Sequence, residues 1–300
     1  MRIVFFGTPD FAVPSLKILV DNGYDIAAVV TVADKPAGRG LQIHQSPIKK
    51  YAVENGIKIL QPEKLKDENF IAELKSLHAD LQIVIAFRML PEIVWTMPTI
   101  GTFNLHASLL PKYRGAAPIN WAIINGEEET GLTTFFLKHE IDTGQIIMQE
   151  KIKITETYTA GDLHDEMMMK GANLVLETVR KIESKNYELK EQIGEIIHAP
   201  KIFKPDCKIN FNQQVDKVYN HIRGLSPYPA AFTDLNGKVL KIFSAKKINE
   251  QHNSEIGKMH TDHKTYLRFA CTNGFIDVEV LQLEGKQKMN VEDFLRGWRA

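Results

Sequence analysis

The first two thirds of the chain alternate short apolar runs with segments whose apolar residues recur at helical spacing. Ile3-Val4-Phe5-Phe6 ends at Gly7, the mark of a buried strand meeting a turn, and a helix follows through Val20. Residues 25–32 read as a second strand, 45–55 as a helix and 57–60 as a further strand. Over residues 67–78, Phe70, Ile71, Leu74 and Leu77 fall on one helical face, and residues 81–86 are apolar apart from Gln82. Residues 103–106 form the next predicted strand, 116–125 a helix, 133–137 and 146–154 two strands, and 161–185 a long amphipathic helix. Strands alternating with helices predict an α/β fold with a mostly parallel sheet.

The texture then changes. Residues 198–203 read as linker, and a short helix from Val215 precedes Ser226-Pro227-Tyr228-Pro229. Strand runs follow at 239–243, 266–269 and 275–280, a pattern that predicts a small β-barrel. The boundary falls near residue 204.

Composition narrows the class. The 300 residues are 44% hydrophobic and 25% charged, an ordinary globular balance. Lys+Arg and Asp+Glu are both 37, which argues against an overall basic protein and leaves room for a local basic patch. The two cysteines, Cys207 and Cys271, have no partners at metal-ligand spacing, so no metal site and no structural disulfide is expected. No apolar run reaches the length of a membrane span, and the N-terminus has no signal-peptide pattern. The expected location is cytoplasmic, with no membrane association and no obligate protein partner evident.

The chemistry concentrates in Gly101-Thr102-Phe103-Asn104-Leu105-His106 and the turn after it. Strand side chains alternate faces, so Asn104 and His106 point the same way and aim an amide and an imidazole at one spot. A tetrahedral oxyanion needs such fixed donors. Asp142 lies in Asp142-Thr143-Gly144, a turn after another strand-like run. Each residue alone has an ordinary explanation: a satisfied histidine, an amide at a strand end, a turn aspartate. Gly7-Thr8-Pro9-Asp10-Phe11 has one of the glycines of a dinucleotide-binding turn, and a plain strand–helix turn accounts for it. The loop from Asp34 to Gln42 contains Lys35 and Arg39, with Lys49 and Lys50 close behind; it reads as a solvated loop or as a cationic contact for a nucleic-acid backbone. Lys238, Lys241, Lys246 and Lys247 make the C-terminal part mildly basic, as a solvated face or a phosphate-tracking surface.

The run Asn104-x-His106-x-Ser108-Leu109-Leu110-Pro111-x-Tyr113-Arg114-Gly115, followed by Asp142-Thr143-Gly144, resembles the signature of the folate-dependent formyltransferases. The likeness extends from Met1 to about Phe243. It implies an α/β, Rossmann-like formyltransferase domain with a mostly parallel sheet over residues 1–203. It further implies a small OB-like β-barrel over 204–300 that binds tRNA. It implies catalysis by Asn104, His106 and Asp142, with 10-formyltetrahydrofolate as formyl donor and no metal. Ser108, Leu109, Leu110 and Pro111 are then expected to line the folate pocket, with Phe87, Arg88 and Leu90 at its edge. Ala86-Phe87-Arg88-Met89-Leu90-Pro91 departs from the family form, which has a glycine near Arg88 and one more residue before the Leu-Pro pair. Asp34-Lys35-Pro36-Ala37-Gly38-Arg39-Gly40 resembles the loop of members that formylate initiator methionyl-tRNA, which implies tRNA contacts at Lys35 and Arg39. Arg114 reads equally as a structural donor to a carbonyl and as a phosphate contact. The rival readings are a sugar-nucleotide N-formyltransferase and a non-catalytic RNA-binding protein.

Overall fold

The computed structural model of this chain describes residues 1–37 and 42–298. In chain order the elements are β1 (Arg2–Gly7), α1 (Val13–Asp21), β2 (Asp25–Val30), β3 (Lys35–Ala37), β4 (Gln42–His44), α2 (Pro47–Glu54), β5 (Ile59–Leu60), α3 (Glu68–Ser76), β6 (Leu81–Ile85) and α4 (Glu92–Trp95). They continue with β7 (Gly101–His106), β8 (Arg114–Gly115), α5 (Pro118–Ile124), β9 (Glu129–Phe136), β10 (Ile146–Lys153), α6 (Ala160–Glu183) and β11 (His198–Ala199). The C-terminal part holds α7 (Val215–Gly224), β12 (Ala231–Leu235), β13 (Lys238–Asn249), β14 (Met259–Thr261), β15 (Leu267–Cys271), β16 (Gly274–Leu283), β17 (Met289–Asn290) and α8 (Val291–Gly297).

The chain divides into two compact units that are discontinuous in sequence. The first comprises 1–114, 131–152 and 165–198, and the second 115–130, 153–164 and 199–300.

The first unit is built on a sheet of order β10-β9-β7-β6-β1-β2-β5. β5, β2, β1, β6 and β7 run parallel, and β9 joins β7 antiparallel. The central strands are apolar on both faces because both faces are buried. Val4, Phe6 and Val84 meet Phe70 and Leu74 of α3 and Val94 of α4, while the intervening Ile3, Phe5, Ile83 and Ile85 are buried as well. Helix starts follow local chemistry. Asp67 accepts from the Phe70 N–H at 3.0 Å, and Ser46 accepts from the Lys49 N–H just ahead of Pro47 at the first helical position. Gly7 is a packing residue: a Cβ there would lie 2.8 Å from the Ala12 Cβ, which explains one glycine at this turn without a phosphate to cradle. The parallel strands all end on the same edge, where open α/β sheets bind their ligands. His106 closes β7 on that edge.

The second unit carries an antiparallel sheet of order β12-β13-β16-β15-β14, with β17 on β16. Register shifts between Ile242 and Ala245 mark a bulged stretch of β13, and bulges bend a strand and increase its twist. The expected barrel is present as a half-barrel with β12 and β14 at its edges. Leu240, Ile242, Phe269, Ile276 and Val278 of its inner face pack against Val215, Val218 and Ile222 of α7 and Phe294 of α8. α5 belongs to this unit: the Asn120 amide donates to the Gly224 carbonyl at 2.8 Å, and a Cβ on Gly224 would lie 2.6 Å from Ile124.

Candidate active site

β7 places Asn104 and His106 on one face, since the intervening Leu105 points toward Gly171 of α6. Asn104 is half-buried and His106 is 7% exposed. The His106 Nε2 lies 2.9 Å from the Tyr113 carbonyl oxygen. A carbonyl only accepts, so Nε2 is the protonated nitrogen of this bond. A neutral imidazole held this way keeps its lone pair at Nδ1. That Nδ1 faces the Asp142 Oδ2 at 3.9 Å, too long for a hydrogen bond and within ion-pair range. Asp142 comes from the turn between β9 and β10, where it adopts a left-handed backbone with φ of 55°. Gly144 is required there, because a Cβ would lie 1.6 Å from the Phe136 carbonyl oxygen.

The loop after β7 is locked by buried polar contacts. Ser108 is fully buried and its hydroxyl donates to the Lys112 carbonyl at 2.6 Å. Thr133 of β9, also fully buried, donates to the Ser108 carbonyl at 2.6 Å and accepts from the Leu110 N–H at 3.2 Å and the Gln149 amide at 3.0 Å. Gln149 also donates to the Leu110 carbonyl at 3.0 Å. Leu110 and Pro111 are buried and joined by a cis peptide bond, while Leu109 is half-buried beside Gly131. An amide and an imidazole on one face, a carboxylate opposite and a rigid apolar loop beside them can together handle an acyl carbonyl and a proton.

Residues 1–179 match the formyl transferase family, and residues 201–299 match the formyl transferase C-terminal domain. The chain is 58% identical over 312 residues to the methionyl-tRNA formyltransferase of Phocaeicola vulgatus and 53% identical over 309 residues to that of Bacteroides thetaiotaomicron. Each alignment covers 100% of this chain and 96% of the relative. The chain belongs to the methionyl-tRNA formyltransferase family. Solved formyltransferases share the fold. WlaRD, a sugar 3N-formyl transferase, is 23% identical with a TM-score of 0.71, over 96% of this chain and 99% of that one. The N-formyltransferase of Helicobacter canadensis is 22% identical with a TM-score of 0.69, over 96% of this chain and 100% of that one.

The remaining residues that the family likeness singled out sit as follows. The loop after β6 starts level with β7's end, since Ile85 pairs with Leu105. Its Leu90 side chain is buried in the core cluster with Phe6 and Val94, and Phe87 packs edge-on to Phe6 with ring centroids 5.6 Å apart. Arg88 donates to the Glu63 carbonyl at 2.8 Å and to the Pro62 carbonyl, which ties this loop to the end of β5. Lys35 lies in β3, and Arg39 lies outside the described residues. Asp34 and Lys49 flank that hairpin and are paired at 2.5 Å, with the Gln61 amide also donating to Asp34. Hydrogen bonds from Lys49 and Gln61 hold the Asp34 carboxyl below its ordinary pKa. Lys49 is therefore committed to the base of the hairpin.

Of the basic cluster on the C-terminal sheet, Lys246 pairs with Glu279 at 2.7 Å, and Lys247 pairs with Asp216 at 2.7 Å and Glu156 at 2.6 Å. Lys238 is exposed and Lys241 half-buried. Among the described residues no cluster of His, Cys, Asp and Glu has the makings of a metal site, and no helix is long and apolar enough to cross a membrane.

Thr133, Gln149 and the Tyr113 carbonyl are parts of this site that sequence reasoning did not reach. The one signal for Thr133 is a polar residue inside a strand-like run, at a position where a buried face wants apolar side chains; Gln149 stands at an exposed position of β10 and gives no such signal.

Proposed function

We propose that this chain transfers a formyl group from 10-formyltetrahydrofolate to the α-amino group of methionine on initiator methionyl-tRNA, giving formylmethionyl-tRNA for translation initiation. The observation that carries this reading is the full-length identity of 53% and 58% to relatives of that name. The geometry supplies the chemistry. The amine nitrogen attacks the formyl carbon, and the carbonyl electron pair moves onto oxygen. Asn104 donates its amide N–H to that oxyanion. His106, with Nε2–H held by Tyr113, takes the amine proton at Nδ1 and becomes an imidazolium. In that form Nδ1–H is a second donor beside the oxyanion, with Asp142 supplying the opposite charge. The tetrahedral centre then collapses, N10 of the folate leaves, and His106 returns the proton to it. Tetrahydrofolate and the formylated tRNA are released. Each oxyanion donor is expected to contribute a factor of about 10²–10³ in rate.

The apolar loop from Ser108 to Pro111 suits the flat face of a pterin, with Phe87, Arg88 and Leu90 at the pocket edge. Lys35 and Arg39 contact the tRNA backbone, and residues 204–300 add affinity through further backbone contacts, which position a substrate without reading its bases. The test is transfer of labelled formyl from 10-formyltetrahydrofolate in the presence of methionyl initiator tRNA or a dTDP-amino sugar. Label on the tRNA is expected. Label on the sugar nucleotide alone would overturn the reading.

A further inference from the structure

Arg114 and Gln192 meet far from each other in sequence, beside the proposed catalytic trio. The Gln192 Oε1 accepts from the Arg114 Nε at 3.1 Å and from its terminal nitrogen at 2.6 Å. A guanidinium only donates, so Arg114 fixes which end of the Gln192 amide faces it. The Nε2 end is thereby turned to the Asp142 turn, where it donates to the Asp142 carbonyl at 2.8 Å and the Gly144 carbonyl at 2.8 Å. The segment that carries Gln192 is pinned on both sides. Lys190 and Ile146 exchange backbone hydrogen bonds at 2.9 and 2.8 Å, and the Arg114 N–H donates to the Ile197 carbonyl at 2.9 Å.

The consequence concerns His106. Its Nε2 is anchored on the carbonyl of Tyr113, the residue before Arg114, and its Nδ1 faces the Asp142 carboxylate. One side chain, Gln192, thus links the two loops that flank the imidazole. Asp142 also needs holding: a left-handed backbone is costly for a residue other than glycine and persists only where surrounding bonds impose it.

We infer that Gln192 and Arg114 are positioning residues that set the Asp142 carboxylate against His106 by clamping the backbone of the Asp142 turn. The inference rests on the roles proposed above for His106 and Asp142. The clamp acts on turnover, since a misplacement on the order of 1 Å can cost about 10²-fold in rate. It touches neither substrate, so Michaelis constants stay within about twofold.

The test is a double-mutant cycle in the full chain, with tRNA formylation as the readout and a thermal melt confirming that each variant is folded. Gln192→Ala should lower kcat by about 10- to 10²-fold. Gln192→Glu keeps the acceptor for Arg114 but has no N–H for the Asp142 turn, so it should fall equally. It changes one heavy atom and serves in place of the alanine variant if that one is unstable. Asp142→Asn should lower kcat strongly by itself. In that background Gln192→Ala or Gln192→Glu should cost less than about threefold more, because the clamp works through Asp142. A merely structural glutamine would cost its full factor in both backgrounds. Wild-type turnover in both Gln192 variants, or an undiminished factor in the Asp142→Asn background, overturns the clamp and leaves the trio standing. Wild-type turnover in Asp142→Asn alone overturns the role of Asp142, and the clamp with it.

Discussion

Thr133→Val isolates what the buried hydroxyl beneath the loop contributes. The substitution keeps the shape and leaves no cavity, so its cost is almost purely polar. The Thr133 hydroxyl is fully buried, donates to the Ser108 carbonyl at 2.6 Å and accepts from the Leu110 N–H at 3.2 Å. Valine takes this partner from both backbone groups in a place where water does not replace it. Gln149 loses a bond too but keeps the Leu110 carbonyl at 3.0 Å. Each buried polar group left unsatisfied costs about 1–3 kcal/mol. With two such groups, the Ser108 carbonyl and the Leu110 N–H, the expected loss is about 2–6 kcal/mol, falling to the low end as the loop relaxes. Thr133→Ser, which keeps the hydroxyl and deletes a methyl, should lose about 1 kcal/mol.

Two measurements check it. Urea unfolding should shift to lower denaturant with an unchanged slope. Amide exchange at Leu110 should speed up in Thr133→Val and not in Thr133→Ser, because only the valine variant removes its acceptor. The Michaelis constant for the formyl donor should rise several-fold while that for tRNA holds. A loss under about 0.5 kcal/mol together with unchanged Leu110 exchange would refute the reasoning, since it would mean that the loop is held by something other than this hydroxyl.

Asn104→Ala and His106→Ala should each reduce formylation by at least about 10² with folding intact, as each removes a proposed transition-state donor; single-turnover kinetics reads this, and near wild-type rates would remove both from the mechanism. Arg39→Ala should weaken methionyl-tRNA formylation far more than folate binding, and the wild-type dependence on salt should be steep because neutralised phosphates release counterions; equal loss of both ligands would make the loop structural. Cys271 is fully buried and burial pushes its thiol up to about 12, so at pH 8 it stays protonated and should resist alkylation in the native protein while reacting fully in denaturant; mass spectrometry of iodoacetamide-treated protein decides it.

What the sequence could show follows the range of the interactions involved. The central strands and α3 are legible because burial on both faces of a strand, or one face of a helix, writes itself as apolar spacing within a few residues. Asn104 and His106 are legible for the same reason, since strand alternation alone puts them on one face. β12, whose Thr233 and Asp234 interrupt its apolar residues, leaves no such mark; neither does β14, three residues long, with Met259, His260 and Thr261. The residues that hold the loops around the trio are illegible for a deeper reason. Gln192 lies 78 residues from Arg114, and Gln149 lies 39 from Leu110. Neither differs in composition from an ordinary surface glutamine. Arg114 reads equally as a structural donor to a carbonyl or a phosphate contact, and its bonds go to a carbonyl oxygen, that of the Gln192 side-chain amide, which no local pattern could name.

The boundary between the two units follows the same logic and bears on how the protein can be dissected. A change in texture near residue 204 marks where the α/β alternation stops, yet contacts place 115–130 and 153–164 with the C-terminal unit. Arg223, 7% exposed, explains the second segment: its guanidinium donates to the Tyr158 carbonyl at 2.8 Å and the Thr155 carbonyl at 3.3 Å. Lys247 adds the pair with Glu156, which lies between them. α5 is held by Asn120 on Gly224 and by Ile124 against the core around α7. A cut at 204 removes Arg223, Lys247 and α7 together and strips these partners from residues that precede the cut. Loss of tRNA affinity in such a fragment would mix a missing surface with loosened segments. Substituting exposed lysines of the half-barrel, Lys238 first, removes charge while leaving every one of these contacts in place, and so separates affinity from fold.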